Sequence, residues 1–202
     1  MAPLQSIEGE NLACVRGGRL IFRNVSFRVT SGEVLQIEGP NGSGKTSLLR
    51  LIAGLLAPAA GAIRTAADKN AEAEERRDWV GWLGHHDGAK GHLTPRETLA
   101  FFARLYGTPP NIGATLDTVG LARAADLPCQ YLSAGQKRRL ALARLKLCGR
   151  PLWLLDEPLG ALDAQGRTLI ADMLRAHTNG GGIAMAATHE PLGLDAARLQ
   201  LS

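Results

Sequence analysis

The sequence predicts an α/β protein: a nucleotide-binding core with a mixed or parallel sheet, an antiparallel β part at the N-terminus, and a helical subdomain inserted into the core. Three observations predict this. Residues 34–37 form an apolar run that leads into a glycine-rich loop and then an apolar helical stretch. Residues 152–155 and 183–187 are uninterrupted apolar runs, as strands buried on both faces of a parallel sheet should be. Between about residue 93 and residue 149 the pattern changes to helical spacing. The expected organisation is one domain over 1–202, with 1–92 and 150–202 forming the core and about 93–149 the helical subdomain.

Taken in order, residues 4–38 read as short strands and turns, with alternation over 21–29 and a turn at Ser31-Gly32-Glu33. After the strand at 34–37, residues 47–53 continue as a helix that Gly54, Pro58 and Gly61 bring to an end. Residues 65–78 are charge-dense and read as a surface insertion, and Trp79 to Gly84 returns as a strand. Thr94-Pro95-Arg96-Glu97 combines a capping hydroxyl, a proline at the first helical position and a glutamate at the third. This capping box opens a helix through Leu105. Ala134–Leu147 has apolar residues at helical spacing with a basic opposite face, and a further helix near 165–177 stops at Gly180-Gly181-Gly182.

The chain has 202 residues, 45% hydrophobic and 21% charged, which suits one folded domain with a full core. The longest uncharged apolar stretch, 51–60, is interrupted by Gly54 and Pro58 and falls well short of the roughly 20 residues needed to span a bilayer. The N-terminal residues show neither a signal peptide nor a lipidation motif, so the expectation is a protein that is soluble or held at a membrane by another protein. Cys14, Cys129 and Cys148 are scattered without a C-x-x-C pair, which fits a reducing compartment and argues against a cysteine metal site. Net charge is +4. The basic cluster Lys137-Arg138-Arg139 with Arg144 and Lys146 lacks interleaved aromatics, so it reads as a solvated helix face and nucleic acid is not an expected partner.

The chemistry concentrates in Gly39-Pro40-Asn41-Gly42-Ser43-Gly44-Lys45-Thr46, a fit to G-x-x-x-x-G-K-[ST]. Such a loop turns backbone N–H groups toward phosphate oxygens, its lysine reaches the terminal phosphates and its threonine supplies a Mg²⁺ ligand. The helix that begins at the loop adds the positive end of its dipole, and Ser47 in its first turn belongs to the same ATP site. Asp156-Glu157 stands at the C-terminal end of the 152–155 strand, where an open α/β sheet brings it beside the loop. There Asp156 can hold Mg²⁺ and Glu157 can polarise the attacking water. Ser133-Ala134-Gly135-Gln136 at a helix start makes a second anion site.

The order of these motifs resembles the ATP-binding cassette (ABC) ATPases over essentially the whole chain. In that likeness residues 39–46 are the Walker A loop and 132–136 the signature, with Ala134 where a glycine is usual. Residues 152–157 are Walker B, Gly160-Ala161-Leu162-Asp163 the D-loop, and Thr188-His189-Glu190 carries the switch histidine. The resemblance implies ATP and Mg²⁺ as cofactors and catalysis by Lys45, Glu157 and His189. It also implies a head-to-tail homodimer in which Ser133 of one copy faces the γ-phosphate held by the other. Two positions depart from the usual pattern. His86 stands where a metal-touching glutamine is expected, and Arg16 stands where an aromatic stacks on adenine; a guanidinium plane can stack there, and a solvent-facing arginine is the alternative.

Arg16, residues 84–97 and the Tyr131-Leu132-Ser133-Ala134-Gly135-Gln136 run, with a short stretch after His189, narrow the resemblance to the ATP-binding subunits of cytochrome c maturation haem exporters. That branch implies a peripheral ATPase on the cytoplasmic face of the bacterial inner membrane. Its partners would be integral permease subunits and, indirectly, haem and a periplasmic haem chaperone. The alternatives are the ATPase of a lipoprotein or drug exporter, and a soluble ABC ATPase without a transport role.

Overall fold

A computed structural model describes residues 4–66, 77–85, 88–109 and 111–202. Two strands open the chain, β1 (Ser6–Arg16) and β2 (Arg19–Thr30), joined by the two-residue turn Gly17-Gly18. β4 (Ala60–Ala66) pairs with the other edge of β1, giving an antiparallel three-stranded sheet in the order β2-β1-β4. The second sheet is wholly parallel, in the order β5-β6-β7-β3-β8, built from β3 (Val34–Glu38), β5 (Val80–Leu83), β6 (Leu152–Asp156), β7 (Ile183–Ala187) and β8 (Ala197–Gln200).

Helix α1 (Lys45–Ile52) lies between the two sheets. Its Leu48, Leu49, Leu51 and Ile52 are fully buried against Ile7, Leu12 and Phe22 of the antiparallel sheet and Ile37, Leu154 and Met185 of the parallel one. Each such aliphatic side chain contributes about 1.5–3 kcal/mol of transfer free energy, so the helix behind the phosphate loop is held on both sides. The opposite face of the parallel sheet packs on α4 (Ala134–Leu147) and α5 (Ala164–Asn179) through Trp153, Leu155, Leu142, Leu145, Ile170 and Leu174.

Helices α2 (Pro95–Tyr106), α3 (Ile112–Thr118) and α4 share a cluster of their own with Leu99, Leu116, Leu121, Leu140 and Ala143 at its centre. The capping box predicted at Thr94 is present, with the Glu97 amide donating to Thr94 and the Thr94 amide donating to the Glu97 carboxylate. Gly107 closes α2 in the left-handed conformation.

Two sequence expectations are corrected. Helix α4 is not amphipathic with a solvated basic face: it is buried on two sides, against the sheet and against α2 and α3, and Arg138 is only 3% exposed. Residues 65 and 66 belong to β4, with Thr65 buried, so they are not part of a surface insertion; residues 67–76 lie outside the described residues. Strands β4 and β8, helix α3 and the short 3₁₀ turns Ala122–Ala124 and Cys129–Tyr131 lacked a periodic signal long enough to find them. Among the described residues no helix is long and apolar enough to cross a membrane.

Candidate functional site

The phosphate loop runs from the end of β3 to the first turn of α1, and its path depends on close packing underneath. Gly44 has φ +96, and a Cβ there would meet Ile21 Cγ2 at 2.5 Å and Phe22 Cδ1 at 2.8 Å. Any other residue would push the loop off the antiparallel sheet. Lys45 is buried, and its Nζ donates to the carbonyls of Gly39 at 2.8 Å and Pro40 at 3.2 Å, so the ammonium is held across the mouth of its own loop. Ser43 Oγ is buried with no hydrogen-bond partner in the described structure. A polar atom left in this state costs about 1–3 kcal/mol, so the loop is built for a polar occupant.

A cavity of about 660 Å³ lies over this loop. The loop residues Asn41, Gly42 and 44–47 line it together with Asp156 and Glu157 and, from other segments, Arg16, Gly17, Ile21 and His85. Arg16 arrives there because it is the last residue of β1, beside the Gly17-Gly18 turn. Thr46 Oγ1 donates to both carboxylate oxygens of Asp156, at 3.0 and 2.9 Å, which brings a hydroxyl and a carboxylate that could hold a metal together at the cavity wall. Among the described residues no group of three or more His, Cys, Asp and Glu side chains could hold a metal by itself. His86 lies outside the described residues.

Glu157 follows Asp156 in a left-handed conformation, φ +46, unusual for a residue with a side chain. Its amide donates to Ala187 O at 2.8 Å, and its carboxylate Oε2 lies 3.6 Å from His189 Nδ1. The segment carrying His189 is tied down by groups the sequence did not announce. Gln36 Nε2, buried in β3, donates to Glu190 O, and Arg167 of α5 donates to the Glu190 carboxylate. That hydrogen bond from Arg167 holds the Glu190 carboxyl below the usual range. A polar residue inside the run Val34-Leu35-Gln36-Ile37 was a visible signal; Arg167 gave none.

Ser133 caps α4 with a reciprocal box: the Gln136 amide donates to Ser133 Oγ at 3.2 Å and the Ser133 amide to Gln136 Oε1 at 2.9 Å. Ala134 follows at the first helical position. Ser133, Gly135 and Gln136 line a different cavity, of about 530 Å³, together with Arg139, Ala161 and Asp163. Gly135 permits this contact, since a Cβ there would stand 3.0 Å from Ala161 O. Asp163 caps α5 by accepting from Gly166 N at 2.8 Å and also pairs with Arg139 at 2.9 Å. The Gly166 amide first, then the Arg139 guanidinium, keeps the Asp163 carboxyl below its ordinary range. Asn41, Gly42, residues 44–47, Asp156, Glu157 and Arg16 therefore converge on one cavity, while Ser133, Gly135, Gln136 and Asp163 converge on another.

The sequence profile described as ABC transporter matches residues 22–160. Across 96% of this chain and 97% of the relative, the sequence is 48% identical to the cytochrome c biogenesis ATP-binding export protein CcmA of Rhodopseudomonas palustris strain BisB5. It is 46% identical to the protein of the same name from Bradyrhizobium diazoefficiens, again over 96% of this chain and 97% of the relative. An ABC transporter ATP-binding protein from Pyrococcus furiosus has the same fold, with a TM-score of 0.85, 22% identity and 97% of each chain covered. A bacterial Atm1-family ABC exporter with ATP bound aligns with a TM-score of 0.84 and 22% identity, covering all of this chain and 38% of that one. The chain belongs to the ABC transporter family and, by its full-length likeness, to the cytochrome c biogenesis ATP-binding export proteins within it.

Proposed function

We propose that this chain works as a pair of copies on the cytoplasmic face of the bacterial inner membrane, bound to integral permease subunits. Its ATP cycle drives haem delivery, or release of a haem-loaded chaperone, in cytochrome c biogenesis. The reading rests on the full-length likeness to relatives named as cytochrome c biogenesis ATP-binding export proteins, and on one observation above all. The glycine-rich loop, the Thr46–Asp156 pair and Glu157 meet at a single cavity, and His189 stands beside Glu157 at 3.6 Å.

The chemistry assigned to these residues is hydrolysis of ATP to ADP and phosphate. Lys45, now bonded to the Gly39 and Pro40 carbonyls, turns to the terminal phosphates, and Ser43 Oγ gains the partner it lacks. The Thr46 hydroxyl and the Asp156 carboxylate fit Mg²⁺, which is usually held by one or two carboxylates plus substrate phosphates. A Mg²⁺ ion held by these two groups would supply neutralisation of the charge that develops on the phosphate oxygens. Glu157 takes the proton of the attacking water, and His189 at its side contacts the γ-phosphate and helps position that water. Arg16 stacks on the nucleotide base at the open end of the cavity. Ser133, Gly135 and Gln136, which line a separate cavity of their own chain, close over the nucleotide of the second copy, with Asp163 beside them.

The test is genetic and biochemical together. A strain lacking this chain should lose covalently bound haem from its c-type cytochromes, and the wild-type sequence should restore it where Glu157→Gln does not. The tagged chain should co-purify from detergent-extracted membranes with integral subunits. Unaltered c-type cytochromes in the deletion strain would overturn the assignment. Glu157→Gln should lower hydrolysis by about 10²–10⁴-fold while ATP still binds.

A further inference from the structure

Arg138 sits in the second turn of α4, in a run of three basic residues, yet is 3% exposed. Its guanidinium donates to main-chain carbonyls of the two loops that wall the nucleotide cavity. Nη1 donates to Gly84 O at 2.7 Å, just beyond β5 and immediately before His85. Nη2 donates to Asp156 O at 3.1 Å and Glu157 O at 2.5 Å, and Nε donates to Pro158 O at 3.2 Å. Burying a guanidinium is costly unless its hydrogen bonds are satisfied, and a planar fork of fixed donors reaches four carbonyls in a way that a lysine point charge cannot.

The residue it grips is the one with the strained backbone. Glu157 holds φ +46, a conformation that costs a side-chain-bearing residue about 1–3 kcal/mol and persists only where its surroundings over-determine it. Three contacts do so here. The Glu157 amide is fixed by Ala187 O, and its carbonyl accepts from Arg138 at 2.5 Å and, over a longer 3.3 Å, from the Gly160 amide. With both flanking peptides pinned, the side chain leaves the backbone in one direction, into the cavity and beside His189. The same guanidinium ties this corner to the end of β5, so the walls on either side of the cavity keep one spacing.

We propose that Arg138 is a positioning residue for ATP hydrolysis: through the carbonyls of Gly84, Asp156, Glu157 and Pro158 it holds the Glu157 carboxylate where it can take a proton from the attacking water. This rests on the reading of Glu157 as the general base. Arg138 does not line the nucleotide cavity; it acts through the main chain. Its removal should therefore spare ATP binding, which belongs to the loop at residues 39–47, and slow the chemical step.

The test compares Arg138→Lys and Arg138→Gln with the wild type, each on membranes carrying the assembled complex and on the purified chain. A displaced general base costs about 10–100-fold in rate, so kcat should fall by that factor, with KM for ATP and the affinity for a non-hydrolysable ATP analogue within about threefold of the wild type. The conservative lysine should recover little, because it cannot span the four carbonyls. The decisive measurement adds each substitution to Glu157→Gln. With the base already absent, residual hydrolysis should drop no more than about threefold further. If the two losses multiply in full, Arg138 acts independently of Glu157 and the proposal fails. Wild-type kcat in either folded variant overturns it, as does a loss carried by KM, or loss of folding and analogue binding in both variants. If Glu157→Gln alone hydrolyses at the wild-type rate, the assignment of the base is at fault, a result read separately from the Arg138 comparison.

Discussion

Replacing Gly44 by alanine tests how the phosphate loop is held. The perturbation is one methyl group placed between the loop and the antiparallel sheet. Gly44 is the residue before α1, in a left-handed conformation with φ +96, and its carbonyl accepts from Leu48 N at 2.8 Å. An L-residue there costs about 1–2 kcal/mol. The new Cβ would lie 2.5 Å from Ile21 Cγ2 and 2.8 Å from Phe22 Cδ1, and Phe22 is a buried core residue that cannot swing away. Overpacking of this kind costs about 1–3 kcal/mol, so the combined strain is roughly 2–5 kcal/mol. That strain must surface in one of two measurements. If the loop keeps its shape, thermal unfolding should move down by about 4–20 °C, at the ~2–4 °C per kcal/mol expected of a chain this size. If the loop relaxes instead, the amides and Lys45 leave their phosphate geometry and ATP affinity falls by about 30-fold to several thousand-fold, tenfold per ~1.4 kcal/mol. Thermal unfolding with and without ATP, together with calorimetric titration, reads both. A variant that melts within about 1 °C of the wild type and binds ATP within about twofold would refute the packing argument.

Two further predictions follow from single side chains. His177 stacks on Trp153 at 3.9 Å between ring centroids, and burial pushes its imidazole below the ordinary value of 6.5. The folded state then binds fewer protons than the unfolded one just below that pH, so stability falls as the pH is lowered from 7 through 6.5 toward the depressed folded value. In His177→Gln that part of the slope should vanish, and an identical pH dependence of melting between pH 5.5 and 7.5 in both proteins would contradict the sign. For Arg16→Ala, loss of base stacking should weaken ATP binding by about 2–30-fold. Inorganic tripolyphosphate should bind unchanged; an equal loss for both ligands would mean that Arg16 acts on phosphate charge.

Much of the site was legible because its information is local. The loop at residues 39–46, the hydroxyl of Thr46 and the paired acids at 156 and 157 are each fixed by a few consecutive residues with apolar strands in front of them. The capping box at Thr94 was equally plain, since a cap is a contact across three residues, whereas at Ser133 only the helix start was read and the reciprocal box with Gln136 came from the structure. Arg138 was not legible. In sequence it is the middle of Lys137-Arg138-Arg139, and nothing there distinguishes a buried clamp from a solvated charge. What makes it different is that α4 packs on two sides and points this one arginine at the ends of β5 and β6.

The sequence by itself determined that the chain has a phosphate loop between a buried strand and a helix, with acids supplied by a second strand. Those features depend on spacing along the backbone and on the alternation or continuity of apolar residues, which survive without any knowledge of neighbours. Only the tertiary structure decided which distant segments meet. It brings Arg16 from a hairpin end to the rim of the cavity, pairs Thr46 with Asp156 from 110 positions away, and separates Ser133 from its own chain's phosphate loop into another cavity. Those outcomes follow from the order of strands in the parallel sheet and from the burial of α1 and α4 on both sides, and contacts of that range leave no periodic trace in the sequence.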